Sequence, residues 1–105
     1  MTEQTSTLYA KLLGETAKIS WQELQPFFAR GALLWVDPQA DLVAVAEALA
    51  TDDKASVTVW LTSGQLAKVE AALAEDLLAR DPDLWAVVVA PWVVIQERET
   101  KPLLH

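Results

Sequence analysis

Apolar residues recur at helical spacing through most of the chain, and two segments interrupt that pattern with continuous apolar runs. One run is short and is bounded by Gly31 and Asp37, as in a buried strand, and the other is rich in β-branched residues, which is typical of a strand covered on both faces. We therefore predict an α+β fold in which a small sheet packs against four to five helices. The predicted strands are 32–36 and 84–97, and the predicted helical segments are 6–18, 20–31, 38–53, 53–64 and 63–82.

Polar residues and glycines at the ends of these segments predict where the helices start and stop. Asp37 is expected to cap the third helix, with Pro38 at its first position and Asp41 in its first turn. Pro26 lies too deep for a first turn, so we expect a kink or a break in the second helix. The other predicted caps are Ser6 or Thr7, Ser20 with Glu23 in a capping box, and Asp53, and the predicted stops are Gly31 and Gly64.

Two segments allow more than one interpretation. Segment 53–64 is bracketed by Asp53 and Gly64 as a helix should be, although its run of Val57, Thr58 and Val59 favours a strand. The long run 84–97 contains Pro91, which cannot donate a ladder hydrogen bond. We expect one bent strand there rather than a tight hairpin, because Ala90 and Pro91 supply no residue suited to positive φ.

The unequal lengths of the two predicted strands lead to the first functional hypothesis. Residues 32–36 can pair with only part of 84–97, and an exposed apolar strand edge is usually covered, often by another chain. Val87, Val88 and Val89 are expected to pack under the chain's own helices. The remaining run is predicted to be buried against a second copy in a homodimer, and it comprises Trp92, Val93, Val94 and Ile95.

Length and charge narrow the class of protein. A chain of 105 residues is expected to form one domain, here 1–105 with frayed ends at 1–5 and 99–105. Its net charge of −7, with only eight scattered Lys and Arg, disfavours binding to nucleic acid or to anionic membranes. The N-terminus does not resemble a signal peptide, and the run 84–95 is too short to span a bilayer. We therefore expect a cytoplasmic protein.

The supply of reactive side chains disfavours an enzyme without excluding one. There is no cysteine, the single histidine is His105, and the three glycines are too far apart for a phosphate-binding loop. Asp37 with Asp41, or Asp52 with Asp53, could hold Mg²⁺, but helix capping already accounts for their placement. We therefore predict no metal site and no cofactor.

A pocket for a small molecule is the alternative to the interaction protein. Five tryptophans in a chain of this length could line a site for a flat ligand, although packing in the core or in an interface explains them too. The candidate ligand-binding residues are Trp35, Asp37, Trp60, Trp92 and Arg98, with Tyr9 as a further polar group. A concave pocket with convergent polar groups would favour this alternative, and a polar-poor interior would favour the interaction protein. An unidentified protein partner is a further alternative to a second copy.

Several stretches of the chain resemble a known family. They are "STLYAKLLGETAKISWQELQPFFARGALLWVDP", "DLVAVAEALATDD" and "VVVAPWVVIQER", of which "RGALLWVDP" and "APWVVIQE" are the most specific. They resemble an uncharacterised family of short bacterial cytosolic proteins, a domain of unknown function, and the similarity runs from about residue 8 to residue 98. The resemblance implies a bacterial cytosolic origin and one compact domain. It implies no catalytic residue.

Overall fold

A computed structural model describes residues 3–98 of the chain, and it describes side chains from Thr7 onward. Five helices and a five-stranded mixed sheet confirm the predicted α+β class. The elements in chain order are α1 (Glu3–Glu15), β1 (Ala17–Ile19), α2 (Trp21–Ala29), β2 (Leu33–Val36), α3 (Leu42–Ala50), α4 (Lys54–Ser63), β3 (Leu66–Lys68), α5 (Ala71–Arg80), β4 (Leu84–Val89) and β5 (Trp92–Glu97).

The strands lie in the order β1-β4-β5-β2-β3, so β5 occupies the centre of the sheet. It runs parallel to β2 and antiparallel to β4, and the two outer pairs, β1 with β4 and β2 with β3, are also antiparallel. Helices α1, α3 and α4 cover one face, over Val36, Val87 and Val94. Helices α2 and α5 cover the other face, over Leu84 and Val93. Among the described residues no helix has the length and apolar content needed to cross a membrane.

The long apolar run forms a hairpin, which corrects the prediction of one bent strand. Strands β4 and β5 pair over their full lengths, from Leu84 opposite Glu97 to Val89 opposite Trp92. Only Ala90 and Pro91 connect them, and the peptide bond between these two residues is cis. A cis proline in the third position of a turn reverses the chain without a positive-φ residue. The absence of glycine or asparagine therefore did not exclude a hairpin.

The two edge strands were not predicted, and β3 replaces the start of a predicted helix. Leu66 and Val69 are spaced as on a helix that continues to Leu77, but α5 begins only at Ala71. Residues 65–69 instead pair with β2, where the carbonyl of Gln65 accepts from the N–H of Asp37 at 2.8 Å. Three-residue strands carry too little pattern to be distinguished from a helical turn, so tertiary pairing decides their conformation.

Two predicted helix starts are confirmed. The Ser20 hydroxyl accepts from the N–H of Glu23 at 3.3 Å, and α2 then runs unbroken through Pro26 rather than splitting in two. Asp53 caps α4 by accepting from the N–H of Ser56 at 3.2 Å, and Gly64 ends that helix in the left-handed conformation with φ of 86°. The helical interpretation of 53–64 is therefore correct.

Two other predicted starts are wrong. Helix α1 already includes Glu3, before the predicted caps. Helix α3 is capped by Asp41 and not by Asp37. The Asp37 carboxylate accepts instead from the N–H of Gln39 at 2.8 Å, and its carbonyl accepts from Ala40 at 2.9 Å. These bonds close a tight turn over 37–40, so Pro38 lies in the turn and the helix starts four residues later than expected.

Candidate functional site

The outer edge of β4 is only half covered by its neighbour. The Arg98 N–H donates to the Asp83 carbonyl at 3.1 Å. Hydrogen bonding alternates along an antiparallel pair, so the backbone N–H and C=O groups of the odd-numbered β4 residues point towards β5, and those of the even-numbered residues point towards β1. On that side Leu84 pairs with Ile19 and Ala86 pairs with Ala17. Val88 would need Glu15 as the next partner, but Glu15 is the last residue of α1. We call Val87–Val89 the open edge, because β1 supplies no strand partner for it.

The open edge is apolar and free of charge, and its middle residue is exposed. Val87 and Val89 are buried towards α1 and α3, whereas Val88 is 59% exposed on the opposite face, so the prediction that Val88 packs under a helix is wrong. Ala90 and Pro91, which form the hairpin turn beside it, are exposed as well. No Asp, Glu, Lys or Arg occurs between Leu84 and Gln96. The charged side chains that commonly protect strand edges are therefore missing here.

The residues predicted to contact a second copy are placed elsewhere. Val93, Val94 and Ile95 lie in the central strand and are at most 1% exposed. They are enclosed by β4, β2 and helices of their own chain, so they have no surface left for a partner. Trp92 at the start of β5 is half-buried. The unpaired part of the apolar run is thus in β4, because the hairpin pairs β5 on both sides.

A second group of polar residues converges where the parallel strands β2 and β5 end. We call it the strand-end cluster, and it comprises Tyr9, Asp41, Trp85, Gln96 and Arg98. Gln96 is its centre and is only 3% exposed. Its amide nitrogen donates to the carbonyls of Asp37 at 2.9 Å and Ala40 at 2.7 Å, and its amide oxygen accepts from Nε of Arg98 at 2.9 Å. The amide therefore holds the 37–40 turn and Arg98 in place.

Asp41 links this cluster to both α1 and α3. Its Oδ1 accepts from the N–H groups of Val43 at 3.0 Å and Ala44 at 3.1 Å, and its Oδ2 accepts from the Tyr9 hydroxyl at 2.8 Å. The hydrogen bond to Asp41 raises the pKa of the Tyr9 phenol, and burial and the charges of Asp41 and Glu47 raise it further. The positive charge of Arg98 lowers this pKa by a smaller amount.

The five predicted ligand-binding residues fall into three separate places. Asp37 and Arg98 meet at Gln96, as described above. Trp60 and Trp92 flank the corner between α3 and α4, where they border two open cavities of about 380 and 270 Å³ that share Asp53. Trp35 packs on the opposite face of the sheet, against α2 and α5. A single tryptophan-lined pocket holding all five residues is therefore not formed.

Three of the four carboxylates considered for Mg²⁺ have structural roles. Asp41 and Asp53 cap helices, and Asp37 closes a turn. Two hydrogen bonds from Ser56 lower the pKa of Asp53, the larger contribution coming from its hydroxyl at 2.8 Å. In the part of the chain that the structure describes, no three His, Asp or Glu side chains are grouped as metal ligands. The absence of a metal or cofactor stays a prediction.

Sequence reasoning missed Gln96 and Trp85 as members of the cluster. Gln96 follows Trp92 and Val94 at the strand period of two, so it lies on a face that is otherwise apolar. A lone amide at such a position indicates a buried group with designated partners. Trp85 stood out only as one tryptophan among five. Its proximity to Arg98 depends on the hairpin, which places it opposite Gln96.

Comparisons with known proteins identify relatives without an assigned activity. A family model described as "Protein of unknown function (DUF2288)" matches residues 7–97. The chain is also similar to PA1075 from Pseudomonas aeruginosa, which has an NMR solution structure. The two chains are 72% identical over 100% of this chain and 97% of the other, and their structures superpose with a TM-score of 0.80. No curated protein matches the sequence.

Proposed function

We propose that this chain, which belongs to the DUF2288 family, is an interaction protein that self-associates through the open edge of β4. The family description names no activity, so the proposal rests on the geometry of the chain. One observation carries the proposal. Strand β1 pairs with Leu84, Trp85 and Ala86 only, and leaves the outer edge of the other half of β4 with no strand partner. The polar-poor interior supports the same class of function, since Gln96 is the single buried polar residue among those described.

Two copies of the open edge are complementary to each other. The N–H and C=O of Val88 point away from β5, so an antiparallel partner strand can place Val88 of the partner subunit opposite and exchange two hydrogen bonds with it. The exposed Val88 side chains would be covered in the same contact. Such pairing about a two-fold axis is the usual symmetry of a homodimer.

Charge favours this edge as the meeting point. Each copy carries a net charge of −7, so two copies repel each other over most of their surfaces. The segment between Leu84 and Gln96 contributes nothing to that repulsion, since it has no ionisable side chain. A short contact of this kind supports a weak, concentration-dependent dimer rather than a permanent one.

Sedimentation across a dilution series tests the proposal on the wild type and on Val88→Asp. The wild type is expected to dimerise with rising concentration. Val88→Asp should stay monomeric with an unchanged circular dichroism spectrum, because its charge lies at the contact and outside the core. Two equally exposed aliphatic residues supply matched controls, since Val59 in α4 is 62% exposed and Leu78 in α5 is 60% exposed. Val59→Asp and Leu78→Asp should dimerise like the wild type.

Two results would contradict this function. A wild type that is monomeric at high micromolar concentration excludes self-association. A dimer that survives Val88→Asp but is lost in Val59→Asp or Leu78→Asp places the contact on α4 or α5 instead of the open edge. A bacterial, cytoplasmic setting belongs to the same proposal, and it is supported by the similarity to the Pseudomonas protein and by the absence of cysteine.

A further inference from the structure

The orientation of the Arg98 side chain is set by buried groups. Its Nε donates to the amide oxygen of Gln96, and the amide nitrogen of Gln96 is itself bound to two carbonyls of the 37–40 turn. The guanidinium carbon lies 5.4 Å from the ring centroid of Trp85, so the indole lies against the guanidinium group. A half-buried arginine held in this way loses little further side-chain freedom when it binds a ligand.

Among the described residues, the outer nitrogens of Arg98 have no acceptor. No described carboxylate lies within ion-pair distance of its guanidinium group. Arg80 shows the contrast, because Asp76 takes its Nε and Glu97 takes both of its outer nitrogens, at 3.0 and 3.1 Å. Arg98 therefore presents two parallel N–H donors, the arrangement that binds a carboxylate or phosphate through two hydrogen bonds.

Beside Arg98 there is a second donor without an acceptor. The indole N–H of Trp85 is buried, and no described group accepts a hydrogen bond from it. Buried donors are nearly always paired, so an unpaired one indicates either a bound group or a movement of the residues that cover the donor. The Arg98 guanidinium lies against this ring, so the unpaired indole N–H is a second donor beside the arginine.

The position in the sheet is also one where ligands commonly bind. Asp37 directly follows β2 and Arg98 directly follows β5, and these two strands are parallel neighbours. Ligands of open α/β sheets bind outside the carboxyl ends of parallel strands, where the following loops leave a crevice. Here Tyr9 and the 37–40 turn border that end of the sheet.

We propose that Arg98 is the anchor of a binding site for the carboxylate group of a small ligand, with Tyr9 and Trp85 at its margins. A carboxylate fits better than a phosphate because the Asp41 carboxylate, which accepts from the Tyr9 hydroxyl at 2.8 Å, borders the site and would repel a dianion more than a monoanion. The site goes beyond self-association, since it lies on the residues next to Gln96 and not on the open edge.

The test is a titration with sodium acetate, and sodium phosphate is the comparison. Binding is measured from the NMR chemical shift of the assigned indole N–H of Trp85. The wild type should show a saturable shift with acetate and a weaker response to phosphate at equal ionic strength. Arg98→Gln should weaken acetate binding by at least about tenfold, because it removes a charge-assisted pair of hydrogen bonds. Arg30, which lies 4.7 Å from the Phe27 ring centroid, provides the control, and Arg30→Gln should bind acetate like the wild type.

Three outcomes would overturn the site. The first is a shift that stays linear in acetate, the second is saturable binding that persists in Arg98→Gln, and the third is phosphate binding as tight as that of acetate.

Discussion

Replacing Asp41 with alanine removes three hydrogen bonds at one point where two helices meet. The carboxylate accepts from two N–H groups in the first turn of α3 and from the hydroxyl of Tyr9 in α1. Loss of an N-cap costs about 0.5–2 kcal/mol. Loss of the hydrogen bond from Tyr9 adds about 0.5–1 kcal/mol. We therefore expect Asp41→Ala to lower the free energy of unfolding by about 1–3 kcal/mol.

Asp37→Ala is the matched control, since it removes a neighbouring carboxylate that accepts one hydrogen bond, from the N–H of Gln39. It should cost about 0.5–1 kcal/mol. Urea titrations followed by circular dichroism give both values, and the slope with denaturant should be unchanged in each variant. A larger loss for Asp37→Ala than for Asp41→Ala would show that α3 starts at Pro38.

A double-mutant cycle with Tyr9→Phe isolates the link between α1 and α3. The coupling between Tyr9 and Asp41 should be about 0.5–1 kcal/mol at neutral pH. The pKa of Tyr9 is raised above its ordinary value of 10.0 in the folded state, so its stabilising contribution is fully present below that value. It is lost as the pH rises through the folded pKa. A coupling of zero at neutral pH, or one that is unchanged at strongly alkaline pH, would refute this account.

Three further predictions follow from burial, backbone and charge. Val94→Asp should unfold the protein, because a charge at a 0% exposed position costs several kcal/mol. Val88→Asp should keep the native circular dichroism spectrum, and a folded Val94→Asp would show that the central strand is misplaced. Gly64→Ala should lower the free energy of unfolding in urea by about 1–2 kcal/mol, because φ is 86° there, and no loss would mean that α4 ends elsewhere. A hydrogen bond from Arg80 lowers the pKa of Asp76. The contribution of Asp76 to folding stability is therefore present above the ordinary pKa of an aspartate and is lost as the pH falls through the lowered pKa. Arg80→Gln should therefore flatten the acid side of the stability curve from urea titrations, and an unchanged curve would contradict the pairing.

Local signals predicted the helices best where a cap and a stop bracketed the same segment. Asp53 and Gly64 located α4 despite three residues that favour a strand, because both ends are decided by short-range hydrogen bonds. The prediction that Asp37 caps α3 was wrong for the same physical reason. It has capping chemistry and is followed by proline, but its carboxylate closes a turn instead. Two acidic residues four positions apart offer equivalent local choices, and long-range contacts distinguish them: Tyr9 binds the Asp41 carboxylate, and Gln96 binds the carbonyls of the 37–40 turn.

The candidate sites were less accessible to sequence reasoning because they depend on pairing over long range. A short strand does leave a longer one partly unpaired, but the two strands are β1 and β4 rather than 32–36 and 84–97. The sequence did not reveal this because β1 has only three residues and no recognisable pattern, and because no turn was expected at Ala90 and Pro91. The strand-end cluster joins α1, the turn after β2 and the end of β5, whose order in space is fixed only by the sheet.

The central place of β5 has a consequence for how the protein is made. Residues 92–97 are the link between two halves, since β1 with β4 lies on one side and β2 with β3 on the other. On the ribosome these halves emerge first and have no shared ladder, and two-stranded pieces are marginal in water. The sheet can close only when the strand that separates them has left the exit tunnel. A nascent chain stopped at Pro91 should thus remain a protease-sensitive client of chaperones, although all five described helices have already been synthesised.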